Sequence, residues 1–404
     1  GSLKPVGAAR GTRGAAQGAD VSGRRAERRE QEQPLAEAQA SSFRWFVRGD
    51  IDGFFGLAVD NLVQLLVIVG LCRSVLGFED ALLFGRVLPG AAVSLLVGNL
   101  FYAWQASRLA AREGRADVTA LPYGINTVSL FAFVFLVMLP VRLNSLAAGA
   151  SPAEASLEAW RAGLAACLGS ALIECAGAFV AGFLRRHTPR AALLSSLAGI
   201  AVSFIALGFL FRAWATPVVG IPTLVLVLVA YFGRVRFPGG VPGGLVAVLA
   251  GVVLCWATGL AGGDAAAWQA ARANLGLRFP VSVLHELGRG LADGHLLAYL
   301  SVIVPMGVVN VVGSLQNIES AAAAGDDFPA RPSLLANGIG TLAAAAFGSC
   351  FPTTIYIGHP GWKAMGGRIG YSSATGIMVI VLCWLGTISL ISAIIPSVSI
   401  LPIL

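Results

Sequence analysis

Four ionisable side chains stand inside long apolar runs of this 404-residue sequence: Asp60, Glu174, Glu319 and His359. Polar neighbours accompany them at Asn61, Gln64, Asn126, Asn310, Gln316 and Asn317. An ionisable group in an apolar medium is costly unless paired, so each marks a candidate functional position. Carboxylates and imidazole can also carry a proton, and histidine does so nearest neutral pH. Asp60, Glu319 and His359 are therefore the proton-coupling candidates. Asp60 can belong to a proton or sodium relay, or be a hydrogen-bonded structural aspartate. Glu319 can face a site, or meet water or Arg331 at a helix end. His359 can couple protons or be a satisfied structural histidine. Glu174, flanked by Ile173 and Cys175, reads more readily as a structural contact between helices.

Two short segments break the apolar helical pattern, LPYGINT at 121–127 and FPTTIYIGHPG at 351–361. Both place proline, glycine, β-branched and aromatic residues where a membrane span is expected. Unsatisfied backbone in lipid costs several kcal/mol, so non-helical chain survives only when buried in protein or lining a cavity. Interrupted segments in corresponding places of two halves point to a transporter's binding site. The expected site-lining residues are Tyr123, Gly124 and Asn126 from the first segment. Thr353, Thr354, Tyr356, Gly358 and His359 come from the second, and Gln316 and Glu319 from the run between them. Tyr123 and Tyr356 could stack on a planar ring.

The elements that must carry these residues are membrane helices. Hydrophobic residues make up 56% of the chain and charged ones 12%, about half the usual share for soluble domains. Apolar runs long enough to span a bilayer are expected near 54–77, 82–110, 121–142, 158–185, 190–213, 217–233, 241–262, 296–322, 331–348, 351–366 and 371–393. A further apolar piece begins near 395, and 275–294 mixes charge and apolar residues in the manner of an interfacial helix. Arginines of the N-terminal tail, Arg108, Arg112, Arg115, Arg185, Arg186, Arg190, Arg234, Arg236, Arg331, Lys363 and Arg368 fall on one side of this arrangement, as the positive-inside rule requires for a cytoplasmic N-terminus. Arg272, Arg278 and Arg289 are the exceptions. The net charge of +7 is thus a topology signal and not a nucleic-acid footprint. Residues 1–48 read as a disordered basic tail. The six cysteines form no CxxC or Cys/His cluster, so neither a metal site nor a disulfide framework is readable, and no cofactor is expected beyond a coupling proton or sodium ion. No nucleophile elbow, HExxH or Walker motif indicates an enzyme.

Several segments, in order, resemble the nucleobase–ascorbate (xanthine/uracil) permease family, closest to its guanine/hypoxanthine branch. They are LIECAG from Leu172, HTPRAA from His187, AGIAVSFIALG from Ala198, LANGIGT from Leu335, PTTIY from Pro352 and GGRIG from Gly366. The resemblance implies an all-α polytopic fold of seven plus seven spans in two inverted repeats, divided into core and gate domains, with short strands in the third and tenth spans. The first repeat would occupy 49–262 and an extracytoplasmic loop with an interfacial helix 263–295. The second would occupy 296–404, lacking its last gate spans. A purine-like substrate would sit between the strands and the eighth span and move by proton symport across the plasma membrane, in a homodimer paired through the gate domain. The family's substrate-holding acids fall here at Gln316 and at Ile357 or Gly358. Helix N-termini with no acid opposite would instead accept an anion, as in the related sulfate-permease architecture. A channel or scaffold is the third class.

Overall fold

The computed structural model describes residues 44–395 apart from 234, 236, 239–240, 242 and 261–264. The basic tail through residue 43, Arg234, Arg236 and the apolar run from 396 lie outside the described residues. The elements that bear on the site lie in one compact unit, made of Trp45–Leu109 and the chain from Val118 onward.

In chain order the elements are α1 (Gly49–Ser74), α2 (Asp80–Glu113), strand β1 (Tyr123–Ile125), α3 (Thr127–Ala147) and α4 (Pro152–His187). Next come α5 (190–215, with a π segment at Ala201–Ala206), α6 (Pro217–Tyr231), α7 (Gly243–Ala257), α8 (Ala265–Ala273) and α9 (Leu284–Ala292). The remainder is α10 (Leu300–Ala323), α11 (Ala330–Ala346), strand β2 (Thr353–Ile355), α12 (His359–Ala364), α13 (Gly370–Trp384) and α14 (Thr387–Ile394). Among the described residues five helices are long and apolar enough to cross a membrane, namely α1, α2, α3, α4 and α10. There are six if α13 and α14, bent by 93° at their junction, form one span. The chain is a multi-pass membrane protein.

Eleven spans were expected, and the difference has a physical origin. Hydropathy reports composition, whereas helix length depends on backbone continuity. Proline and glycine leave only 15 residues each in α6 and α7, 17 in α11 and six in α12. The loop at 263–295 holds two helices, α8 and α9, where one was expected.

α4 shows how local sequence sets an element. Ser151 accepts from the Glu154 N–H while Glu154 reaches back to the Ser151 N–H, a capping box with Pro152 in the first turn. The helix stops at Thr188, which is extended because Pro189 follows it. Over 36 residues it extends about 54 Å at 1.5 Å per residue, more than a bilayer core. One face buries Gly169, Ser170, Glu174 and Gly177, while Leu172, Phe179, Val180 and Phe183 lie exposed. That inverted pattern, polar within and apolar without, suits lipid and not water. Glycines set the spacing: a Cβ at Gly177 would press on Val311 of α10, and one at Gly169 on Ile303. Close approach through small residues is the usual means by which membrane helices pack.

Gly98 of α2 lies against the ring of Tyr123, with no room for a methyl group, whereas Gly182 of α4 has open space around its Cα. Gly98→Ala should destabilise the protein by about 1–3 kcal/mol through overpacking. Gly182→Ala should be neutral or slightly stabilising, because alanine favours helix. Thermal unfolding of the purified variants in detergent checks both.

Candidate functional site

The two proline-bearing segments meet. β1 and β2 pair antiparallel, with Tyr123 opposite Ile355, Gly124 opposite Thr354 and Ile125 opposite Thr353. Neither Pro122 nor Pro352 can donate a backbone hydrogen bond, and each disfavours helix in the residue before it. Each instead offers its carbonyl to the opposite segment: the Tyr356 N–H donates to Pro122 O and the Asn126 N–H to Pro352 O, both at 2.8 Å. Residues 122–126 and 352–356 thus exchange equivalent bonds across a local two-fold axis.

The same equivalence extends to the helices behind the strands. Tyr123 O accepts from Asn61 of α1 (3.2 Å) and Asn99 of α2 (3.4 Å). Thr353 O, its counterpart, accepts from Asn310 of α10 (3.3 Å) and has the Thr341 hydroxyl of α11 3.4 Å away. Side-chain amides and hydroxyls thereby supply what a sheet neighbour would otherwise give. Buried backbone carbonyls need such partners.

Glu174 is the hub on the β2 side. It is fully buried, and its carboxylate accepts from Ser170 (3.0 Å), Asn310 (2.5 Å), Thr341 (3.1 Å) and Asn337 (3.2 Å). All four partners are neutral, yet together they satisfy both oxygens and join α4, α10 and α11. Asn310 passes the connection to the first segment by accepting from Asn126 Nδ2 at 2.9 Å. Asn126 also caps α3 by accepting from the Ser129 N–H. A hydrogen-bonded chain therefore runs from α3 through Asn126 and Asn310 to Glu174.

The expected site residues separate into two groups. Thr354, Tyr356 and Gly358 are half-buried beside the strand pair. Thr354 shares a hydrogen bond with Ser314 at 3.2 Å, and Tyr356 covers Gly124 while donating to Ile125 O at 3.0 Å. Gln316 donates to Ser196 of α5 at 2.7 Å, and its Oε1 is buried without a partner. Asp60 is half-buried on α1, in contact with Gln64 and near Tyr356.

The second group is engaged elsewhere. Tyr123 is fully buried, its hydroxyl on Thr353 Oγ1 at 2.5 Å and its ring 5.2 Å from that of Tyr102, so it packs inside the core and offers no open face for stacking. Thr353 is fully buried too and also meets Ser94 at 3.0 Å. Glu319 pairs with Arg185 and, at 2.7 Å, with Arg190, which ties the end of α10 to the α4–α5 turn. Arg331, considered as its partner, lies over the Phe179 ring. His359 bonds Thr119 O at 3.0 Å and Asp326 at 3.2 Å and is buried beneath the α10–α11 connection. Asn337, Thr341, Ser314 and Asn99 were passed over in the sequence. The signal for them was present, since each is an amide or hydroxyl within an apolar run.

Asp326 sits in that connection. Burial alone would raise its pKa, but hydrogen bonds from His359, Lys363 and the Thr119 N–H outweigh burial and draw it down to about 2. A cavity of about 620 Å³ bordered by Ser145, Glu154, Glu158 and Arg161 shares no residue with the strand pair.

No family model and no curated protein matches the chain. Among solved structures, the transmembrane domain of a cyanobacterium bicarbonate transporter, BicA, is similar at 15% identity and a TM-score of 0.47, over 88% of this chain and 86% of that one. The resemblance to nucleobase–ascorbate permeases is accordingly corrected: no family model and no curated protein of that family matches, and the structure found similar is that of a bicarbonate transporter. The segments that suggested it are short and rich in glycine and alanine, a composition that close helix packing selects in many membrane proteins.

Glu174→Ala should leave several buried donors unpaired and destabilise the protein by about 3 kcal/mol or more. Thermal unfolding in detergent should show Glu174→Gln between this variant and the native chain. Asp326 gives a pH test. Its folded pKa of about 2 lies below the ordinary 3.8, so its contribution is full above about pH 4 and disappears as pH falls through 2. Between pH 5 and 2.5 the melting temperature of Asp326→Asn should start lower and fall less than that of the native chain.

Proposed function

We propose that this chain is a secondary active transporter for a small anion, an inorganic oxyanion or a carboxylate, bound beside the paired strands. The observation that carries this reading is the state of the carboxylates around β2. Glu174 lies behind the strands with four neutral donors on it, and Glu319 is neutralised by two arginines. The N-terminus of α3, the positive end of its dipole, starts at the strand pair, and Asn126 occupies the Ser129 N–H while those of Thr127 and Val128 precede it. Hydroxyl donors at Thr354 and Ser314 stand on the other strand's side. Such a surface suits negative charge.

The reading has a coupling group. Of the two carboxylates expected to couple protons, Glu319 is held by arginines, whereas Asp60 is half-buried beside Tyr356 and in contact with Gln64. A proton or cation held there would compensate the charge of the anion. Alternating access fits a two-fold arrangement in which each repeat brings one broken span to the centre. The matched contacts of Tyr123 O and Thr353 O favour the inverted-repeat fold. The reading includes no enzymatic step, no cofactor and no nucleic-acid partner, and it places the protein in the plasma membrane with a cytoplasmic N-terminus.

Detergent-purified protein should be stabilised by at least one of sulfate, bicarbonate or a dicarboxylate, by about 2.7 kcal/mol at a hundredfold excess over Kd. Thr354→Val should weaken that effect about tenfold. Stabilisation by uncharged solutes alone, or by none of the anions, would contradict the reading.

A further inference from the structure

The outward face of α4 carries an apolar stripe that ends in arginine. At about 100° per residue, Leu172, Phe179, Phe183 and Arg186 fall within about 60° of one another around the helix. The three apolar members are each more than half exposed, and Arg186 is exposed as well. From Leu172 to Phe183 the stripe runs about 17 Å at about 1.5 Å per residue, roughly half of a bilayer core of about 30 Å. It thus has the depth of one leaflet and is charged at its end.

Two guanidinium groups at that end are held in place and left without an acid. Arg331, from the first turn of α11, lies 4.5 Å over the Phe179 ring. Arg186 turns its Nε back to Gly182 O at 3.0 Å, where the surface beside Gly182 is open. The carboxylates of this region are engaged: Glu319 by Arg185 and Arg190, Asp327 by Arg185, and Asp326 by Lys363 and His359. Among the described residues these pairs leave Arg186 and Arg331 as two uncompensated positive charges. The other arginines seated on aromatic rings differ. Arg73, over Phe84, is paired with Asp80, and Arg108, over Trp104, stands as a single charge because Glu113 and Asp117 pair Arg112 and Arg115.

We propose that this end of the α4–α11 pair, which meets at Cys175 and Gly338, binds an anionic phospholipid. Its acyl chain lies along Leu172, Phe179 and Phe183, and its headgroup phosphate is held by Arg186 and Arg331. Guanidinium is the side-chain group whose planar donors match phosphate oxygens. The ring beneath one guanidinium and the carbonyl on the other reduce the freedom lost on binding. Two charges without acids favour a lipid of net negative charge over a zwitterionic one, and on the topology proposed above this end faces the cytoplasmic leaflet, where such lipids are concentrated. A soluble phosphate would satisfy the arginines and leave the apolar stripe unused, whereas a lipid uses both. The site does not rest on the transporter reading.

The test uses the full chain, delipidated in detergent, with phosphatidylglycerol, phosphatidylcholine of the same acyl chains, or inorganic phosphate added back. Phosphatidylglycerol should raise the melting temperature saturably, at a mole fraction about tenfold lower than phosphatidylcholine requires. Arg186→Gln and Arg331→Gln should each raise its half-saturating fraction about fivefold, and the two together should remove the preference between the lipids. Arg108→Gln should leave the preference unchanged, which separates the pair from a single arginine on an aromatic ring. If the double variant does not fold, the single variants carry the test. Equal stabilisation by the two lipids, or an unchanged preference in the arginine variants, would overturn the site. So would a melting shift with inorganic phosphate alone that these variants abolish. Thr354→Val should leave the lipid response as it is, so failure here and failure of the anion reading are distinguished.

Discussion

Everything at the centre of this protein follows from two stretches of non-helical backbone placed among apolar helices. Each lacks the internal hydrogen bonds of a helix, and in such surroundings water is not at hand to replace them. The chain meets the constraint by pairing the two stretches with each other and lining the remaining carbonyls with asparagine and threonine. Pro122 and Pro352 create the need and also limit its size, because each removes one donor that would otherwise require a partner.

Glu174 is the consequence of that solution. Amides donate as well as accept, and a set of amides and hydroxyls converging on two carbonyls has donors to spare. A buried carboxylate accepts up to four of them, and its desolvation is offset only because all four arrive. The β1 side has no carboxylate in the matching position. There Ser372 bonds Asn99, while the Asn61 oxygen has no protein partner. The Glu174 carboxylate gathers its donors on the β2 side, which makes the site asymmetric although its frame is two-fold.

Much of the frame could be read from the chain alone, because apolar runs and proline-bearing breaks are properties of short windows. The helices α1, α2, α3, α4 and α10 follow from composition, and the departures from helix at Pro122 and Pro352 follow from proline's missing N–H. The role of Glu174 could not be read in this way. Its partners sit four, 136, 163 and 167 residues away, and a glutamate between Ile173 and Cys175 carries no mark of them. Glu319 was open for the same reason, since Arg185 and Arg190 reach it from more than a hundred residues away. Tyr123 was misplaced because a short strand has two faces, and sequence does not say which one turns inward.

The account stands on the claim that the two broken segments are held as one hydrogen-bonded unit within the membrane. Amide hydrogen exchange of the protein in lipid nanodiscs, followed at residues 123–126 and 353–356, tests it directly. The account predicts exchange as slow as in α1 and α10, and a marked acceleration in both segments together in Asn310→Ala, since that amide bonds each of them. Fast exchange in either segment of the native chain, or acceleration confined to one of them, would contradict it.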